Sequence, residues 1–251
     1  MQKILKKDIL NLIVDIGNNS AKFFLFQGKQ IILHTRRTGK VADLVHEWDS
    51  QYSIERTIIS SVVDLTAEQS AAFASLSCPV TWFGHTTPCP LTIKYRTPHT
   101  LGPDRLAAAI GAWSEAEGRN ILTIDAGSAI TIDFVDSLGN FHGGNISPGI
   151  RMRLRALHEF TGKLPLVDKE GEIPFLGNDT ATAIRSGVIN GICNEIEGYI
   201  TAVREKYGDV LVFLTGGDEN LLKNNIKSRI FADKYLVAKG LNRILLENDN
   251  E

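Results

Sequence analysis

The sequence predicts a duplicated α/β fold, in which three antiparallel strands followed by helix, strand, helix and strand are written twice. Three observations carry that prediction. Ile13-Val14-Asp15-Ile16-Gly17-Asn18-Asn19-Ser20-Ala21-Lys22-Phe23-Phe24-Leu25-Phe26 is echoed 110 residues later by Thr123-Ile124-Asp125-Ala126-Gly127-Ser128-Ala129-Ile130-Thr131-Ile132-Asp133-Phe134-Val135. Each copy is an apolar run ending in Asp, a Gly two residues on, a polar turn and a second apolar run. Each then passes through a glycine turn, Gln27-Gly28-Lys29 or Ser137-Leu138-Gly139-Asn140, into a third strand, which makes a hairpin meander. Beyond each meander the pattern alternates between helix and strand.

In the first half the pattern predicts a helix near 40–50, a strand at 55–61, a helix at 66–76 and a short strand at 79–83. A helix at 104–117 leads into the second half. There a helix near 149–160 precedes a long helix from about 179 to 206, capped by Asn178 or Asp179. A strand at 209–214, a helix near 218–230, a strand at 235–238 and a terminal helix complete the pattern. The expected halves are 1–117 and 118–251, with ligands bound in a central cleft between the copies.

Composition excludes several classes. The 251 residues, 43% of them hydrophobic, are enough to bury a sizeable core and exclude a disordered or collagenous chain. With 27 Lys and Arg against 29 Asp and Glu, there is no global positive field to attract a polyanion, so no nucleic-acid partner is expected. Lys3, Lys6 and Lys7 before an apolar run imitate a signal peptide. Asp8, Asn11 and Asp15 interrupt that run and no small-residue cleavage site follows, so it reads as a buried strand. No window approaches the ~20 apolar residues of a membrane helix, and no membrane partner is expected. Cys78, Cys89 and Cys193 make an odd count without CxxC spacing, the pattern of reduced thiols in the cytoplasm.

The Asp-Gly hairpins point to phosphate chemistry. Such a turn presents backbone N–H groups at its tip, its glycine admits a phosphate, and its carboxylate can hold a metal ion or a metal-bound water. Asn18, Asn19, Ser20 and Lys22 add donors and one positive charge. Either copy alone also reads as a turn whose Asp caps its own backbone; the matched pair favours a triphosphate held from both sides. Thr215-Gly216-Gly217-Asp218 after an apolar strand is either a tight turn or bare backbone for a purine and ribose.

Asp104 follows Gly102-Pro103 at a helix start, where it is an ordinary N-terminal charge or the base that takes a proton from an attacking hydroxyl. Arg105 is placed to pair with an acceptor carboxylate. The stretch from His142 to Gly149 reads as a loop with room for a ligand, and Thr180 opens the long helix.

In this order the elements resemble the sugar kinase, actin and heat-shock-protein ATPase superfamily, an actin-like ATPase (ribonuclease H-like) fold. Five motifs sharpen the resemblance: Asp15-x-Gly-Asn, Tyr95 seven residues before Gly102-x-Asp-Arg, Asp125-x-Gly-Ser-Ala, Gly143-Gly-x-Ile-x-Pro-Gly, and Asn178-x-Thr before Ala-Ile-x-x-Gly. Together, over nearly the whole chain, they resemble the type III pantothenate kinase family. The resemblance implies phosphorylation of pantothenate by ATP to 4'-phosphopantothenate, the first step of coenzyme A biosynthesis. It also implies a cytoplasmic homodimer that needs Mg2+ and a monovalent cation, potassium or ammonium.

By that similarity Asp15, Ile16, Gly17, Asn18, Asn19, Ser20, Ala21, Lys22 and Ser128 would bind ATP. Asp104 would be the catalytic base; Tyr95, Gly102, Pro103, Asp104, Arg105 and Thr180 would hold pantothenate; Asp125 would coordinate the monovalent cation. Asn19 and Ser128 stand where the family usually has Thr, which implies altered ATP affinity at most. Two other readings keep the fold: a kinase or phosphohydrolase acting on another small substrate, and a transcriptional accessory factor. The acidic balance and the carboxylates Asp15, Asp104 and Asp125 argue against the latter. The apolar, glycine-interrupted stretch Ile184 to Ile200 reads equally as a dimer interface or as a buried helix.

Overall fold

The structure, a computed structural model, describes residues 10–247; the basic run of Lys3, Lys6 and Lys7 lies outside the described residues. The first meander is β1 (Leu10–Ile16), β2 (Ala21–Gln27) and β3 (Gln30–Arg37). It is followed by α1 (Val41–Gln51), β4 (Ile54–Ser61), α2 (Ala67–Ala74), β5 (Val80–Trp82), the two-residue β6 (Thr92–Ile93), a single 3-10 turn at Pro98–Thr100, and α3 (Pro103–Glu115). The second meander is β7 (Ile121–Ala126), β8 (Ala129–Val135) and β9 (Asn140–Pro148). After it come α4 (Ile150–Glu159), α5 (Thr180–Tyr207), β10 (Leu211–Thr215), α6 (Glu219–Lys223), β11 (Phe231–Ala232) and α7 (Leu236–Glu247).

The duplication is written in the hydrogen bonding. One sheet runs β3-β2-β1-β4-β5, and β9-β8-β7-β10-β11 repeats that order strand for strand. In each, the first strand is antiparallel to the second and parallel to the one after the helix. The α/β class with a duplicated meander is therefore observed.

The chain divides into two compact units, residues up to 115 together with those from 235 on, and residues 116–234. In the first, one face of β1, Leu10, Leu12, Val14 and Ile16, packs with Phe23, Leu25 and the apolar sides of α1 and α2. The other face carries Asn11, whose amide donates to Asn242 of α7 at 3.1 Å. In the second unit Leu122, Ile124 and Ala126 pack against α4 and the buried stripe of α5. Ile184, Val188, Ile189, Ile192, Ile196 and Ile200 all belong to that core, so this side of the stretch is a buried helix face.

The units differ from the expected halves in one element. Of residues 235–238, expected as a strand, Tyr235 lies in a turn and the other three open α7, which belongs with the first unit. A short apolar run does not distinguish strand from helix; here two glycines decide. A Cβ on Gly240 would lie 1.9 Å from the Ala107 carbonyl oxygen, and one on Gly111 would lie 2.2 Å from that of Leu236. Only bare backbone lets α7 lie this close to α3. The helix expected at 218–230 shortens to α6, and the strand falls at 231–232. The Glu197 carboxylate on α5 accepts from the N–H groups of Lys227 (2.6 Å) and Ser228 (2.8 Å) and from the Ser228 hydroxyl, which holds this segment out of a helix.

The stretch 142–149, expected as an open loop, is mostly strand β9. Gly144 is there for close pairing, since a Cβ would lie 1.7 Å from the Ile132 carbonyl oxygen, and Gly143 has φ 89° where the register with β8 shifts.

Candidate active site

The first Asp-Gly turn closes with the Gly17 N–H donating to the Ser20 carbonyl at 3.0 Å. Asn18 and Asn19 are exposed at its tip. Asp15 is buried, and Lys22, directly across the hairpin, reaches its Oδ2 with Nζ at 3.2 Å. Ile16 and Ala21 point into the core, so they can offer a ligand only backbone groups. The turn is thus a small exposed loop of polar side chains above a charge-paired carboxylate.

On the acceptor side, Pro103 and Asp104 begin α3, and the N–H of Arg105 donates to Asp104 Oδ1 at 2.9 Å. A Cβ on Gly102 would lie 2.6 Å from that oxygen, so glycine lets the carboxylate fold back over the helix start. The buried Arg105 guanidinium lies over the Tyr95 ring, 5.6 Å from its centroid. Tyr95, Gly102, Asp104 and Arg105 are therefore brought together within the first unit.

In the second unit the tight Asp125-Ala126-Gly127-Ser128 turn is held by glycines from elsewhere. Gly149 donates to the Ser128 carbonyl at 3.2 Å, and a Cβ on it would lie 2.4 Å from the Gly127 carbonyl oxygen. Gly216, at φ 102°, leaves no room for a Cβ beside Asp125 Oδ1 (2.5 Å) and the Ala126 carbonyl oxygen (2.4 Å). The Asp218 N–H donates to that same carbonyl at 3.0 Å, and Lys169 pairs with Asp218 at 2.5 Å. Gly216 therefore braces the turn, whereas Gly217 faces open space.

Thr180 is the first residue of α5, with Asp179 as N-cap. The Thr182 N–H donates to Asp179 Oδ1 at 3.0 Å, and the Asp179 N–H to the Thr182 hydroxyl at 3.2 Å. Capping is done by that pair, which leaves the exposed Thr180 hydroxyl outside the cap.

Among the described residues, no group of three or more His, Cys, Asp or Glu is set to hold a metal ion by itself. Mg2+ keeps several waters and binds through one or two carboxylates plus substrate phosphates. Asp15 fits that role, and the buried Ser60 hydroxyl, paired with it across β1 and β4, has no hydrogen-bond partner. Gly216 packs on two oxygens, Asp125 Oδ1 and the Ala126 carbonyl, the ligand type that hard cations take.

Burial pushes all three thiols up, Cys193 to about 11 with help from Glu197, so none is primed as a nucleophile. Sequence reasoning missed Ser60, Lys169 and Glu219. The Glu219 carboxyl is buried with one oxygen unpartnered, and burial followed by repulsion from Asp233 raises its pKa. None of these sits in a motif; only the folded chain singles them out.

Solved structures share this fold. A Campylobacter jejuni protein of the Baf transcriptional-activator family superposes with a TM-score of 0.65 at 22% identity, covering 96% of this chain and 100% of that one. An inorganic polyphosphate/ATP-glucomannokinase from Arthrobacter superposes at 0.51 with 15% identity, covering 95% and 99%. The fold is that of the actin-like ATPase class. Residues 11–202 match the sequence profile of type III pantothenate kinase. A type III pantothenate kinase of Bacteroides fragilis is 49% identical, covering 96% of this chain and 99% of its own, and one of Porphyromonas gingivalis is 41% identical, covering 95% and 98%. The chain belongs to the type III pantothenate kinase family. No described helix is long and apolar enough to cross a membrane.

Proposed function

We propose that this enzyme transfers the γ-phosphoryl group of ATP to the primary hydroxyl of pantothenate, giving 4'-phosphopantothenate for coenzyme A synthesis. The observation that carries the reading is the joining of Asp104, Arg105 and Tyr95 at the head of α3 in a chain that matches pantothenate kinases over nearly its whole length. Residues 15–22 and Ser128 hold ATP, the former through turn N–H groups, Asn18, Asn19 and Lys22. Tyr95, Gly102, Pro103, Arg105 and Thr180 hold pantothenate. The Arg105 guanidinium, oriented by its stacking on Tyr95, pairs with the pantothenate carboxylate.

Asp104 accepts the hydroxyl proton as the new O–P bond forms, which leaves the oxygen a competent nucleophile in line with the departing ADP. Asp15 would hold Mg2+, which would supply neutralisation of phosphate charge, and Asp125 would hold potassium or ammonium. The enzyme works in the cytoplasm as a homodimer without nucleic-acid or membrane partners. Phe160, Leu166, Phe175 and Leu176, left exposed on the second unit, support a second copy that covers them.

The test is ADP release from MgATP with and without pantothenate, in potassium and then in sodium buffer. Pantothenate-dependent release, faster in potassium, is expected. Release that ignores pantothenate would make the enzyme a phosphohydrolase, and silence in both buffers would refute the kinase reading. Sedimentation at the assay concentration checks the dimer.

A further inference from the structure

The last pleat of the first sheet carries a polar row. Asp15 of β1 lies opposite Lys22 of β2 and Ser60 of β4, and Lys22 lies opposite Arg36 of β3. Directly opposed residues on neighbouring strands share a face, so Arg36, Lys22, Asp15 and Ser60 stand side by side across four strands. One pleat earlier the row is His34, Phe24, Ile13 and Ile58, mostly apolar. The change of character coincides with the Asp-Gly turn.

Charge within the row is incomplete for a triphosphate. Lys22 is committed to Asp15, and the two cancel. Magnesium leaves a nucleoside triphosphate with net negative charge, so the site needs another cation. Arg36 is placed to supply it. Its Nε donates to Ser20 Oγ, in the turn itself, at 2.8 Å, and its two terminal nitrogens have no partner among the described residues. The side chain is exposed at the end of β3.

We propose that Arg36 grips the terminal phosphates of ATP as the second cation of the nucleotide site. The proposal rests on the reading of residues 15–22 as the ATP turn. A planar guanidinium with one edge fixed by Ser20 presents its other donors to phosphate oxygens as a preformed fork. Nothing in the local sequence marks Arg36, because Arg37 beside it is identical; only the strand register assigns the first to the Asp15 face and the second, opposite Ala21, to the other.

Calorimetric titration of MgATP, MgADP and AMP into wild type and the Arg36→Gln, Arg37→Gln and Lys22→Gln variants tests this. A lost charge-assisted hydrogen bond predicts about a 10- to 100-fold weaker affinity of Arg36→Gln for MgATP. The loss should be smaller for MgADP and absent for AMP, and Arg37→Gln should match wild type. If AMP weakens in step with ATP, Arg36 only braces the turn and the proposal is wrong. Wild-type ATP affinity in Arg36→Gln with weakened affinity in Lys22→Gln sinks Arg36 alone; wild-type affinity in both sinks the ATP turn as well. Should the glutamine variant unfold, Arg36→Lys, which keeps the charge and loses the fork, carries the same test with a smaller expected loss.

Discussion

The two Asp-Gly hairpins share one motif and sit in different surroundings. At the first, Asp15 is charge-paired with Lys22, and a Cβ on Gly17 would meet nothing closer than the Ser20 carbonyl oxygen at 3.6 Å. At the second, Asp125 and Ala126 are pressed by Gly216, and Gly127 and Ser128 by Gly149. The first turn carries its own cation and takes one outside backbone bond, from the Val62 N–H to the Ile16 carbonyl at 3.0 Å; the second takes the matching bond from Asp218 and is also packed by Gly216 and Gly149. A repeated motif thus supplies two carboxylates, and the neighbours decide what each can do. The turn with its own cation suits a polyphosphate, whereas the one packed by glycines suits a fixed oxygen cradle.

The largest effect is expected near the open turn's own unit, at Asp104. A positioned general base contributes about 10²- to 10⁴-fold in rate. Asp104→Asn should lose that much turnover while pantothenate affinity by calorimetry stays near wild type, and turnover within twofold would make Asp104 a helix-start charge only. The clamp itself is broken by Gly216→Ala. Its positive φ and the 2.4 Å approach to the Ala126 carbonyl predict about 2–4 kcal/mol of lost stability. Gly17→Ala should melt near wild type, and equal losses in the two variants would erase the contrast between the turns.

The smallest effect concerns charge. Glu219, just beyond the clamp, is a buried acid whose burial and repulsion from Asp233 outweigh the pull of Lys223 and Lys234, and its raised pKa means that the folded state favours the protonated carboxyl. The contribution of this carboxyl is then fully present below the ordinary carboxylate range and is lost as pH rises through the raised folded pKa. Glu219→Gln should raise the melting temperature by a few degrees at neutral pH and by nothing near pH 4. A pH-independent shift would show that the ionised carboxylate costs the fold nothing.

Both meanders and the αβαβ order were legible because their signals are local, alternation and turn glycines, and the cap of α5 was narrowed to Asn178 or Asp179, of which the structure shows Asp179. The branch that failed was long-range. Whether Tyr235-Leu236-Val237-Ala238 is strand or helix depends on Gly240 meeting Gly111, a neighbour far away in sequence. Gly143 and Gly144 looked like space for a ligand because a glycine required by strand packing and one required by a substrate are the same letter. Likewise Gly216 was legible as special but not as a brace, since its partner is a carbonyl 90 residues earlier. Asp104, Arg105 and Thr180 were legible from their places at helix starts, and Tyr95 only by family likeness. Arg36 and Ser60 needed the strand register, which no spacing reveals.

The return of α7 to the first unit inverts the order of assembly during synthesis. Residues 116–234 are contiguous and hold their own core, so they can finish folding as soon as they clear the ribosome. The unit that contains Asp15 and Asp104 starts first but waits for its last helix. A nascent chain stalled before residue 235 would therefore carry a finished second unit beside an unfinished first one, with Gly111 and Ala107 of α3 still uncovered.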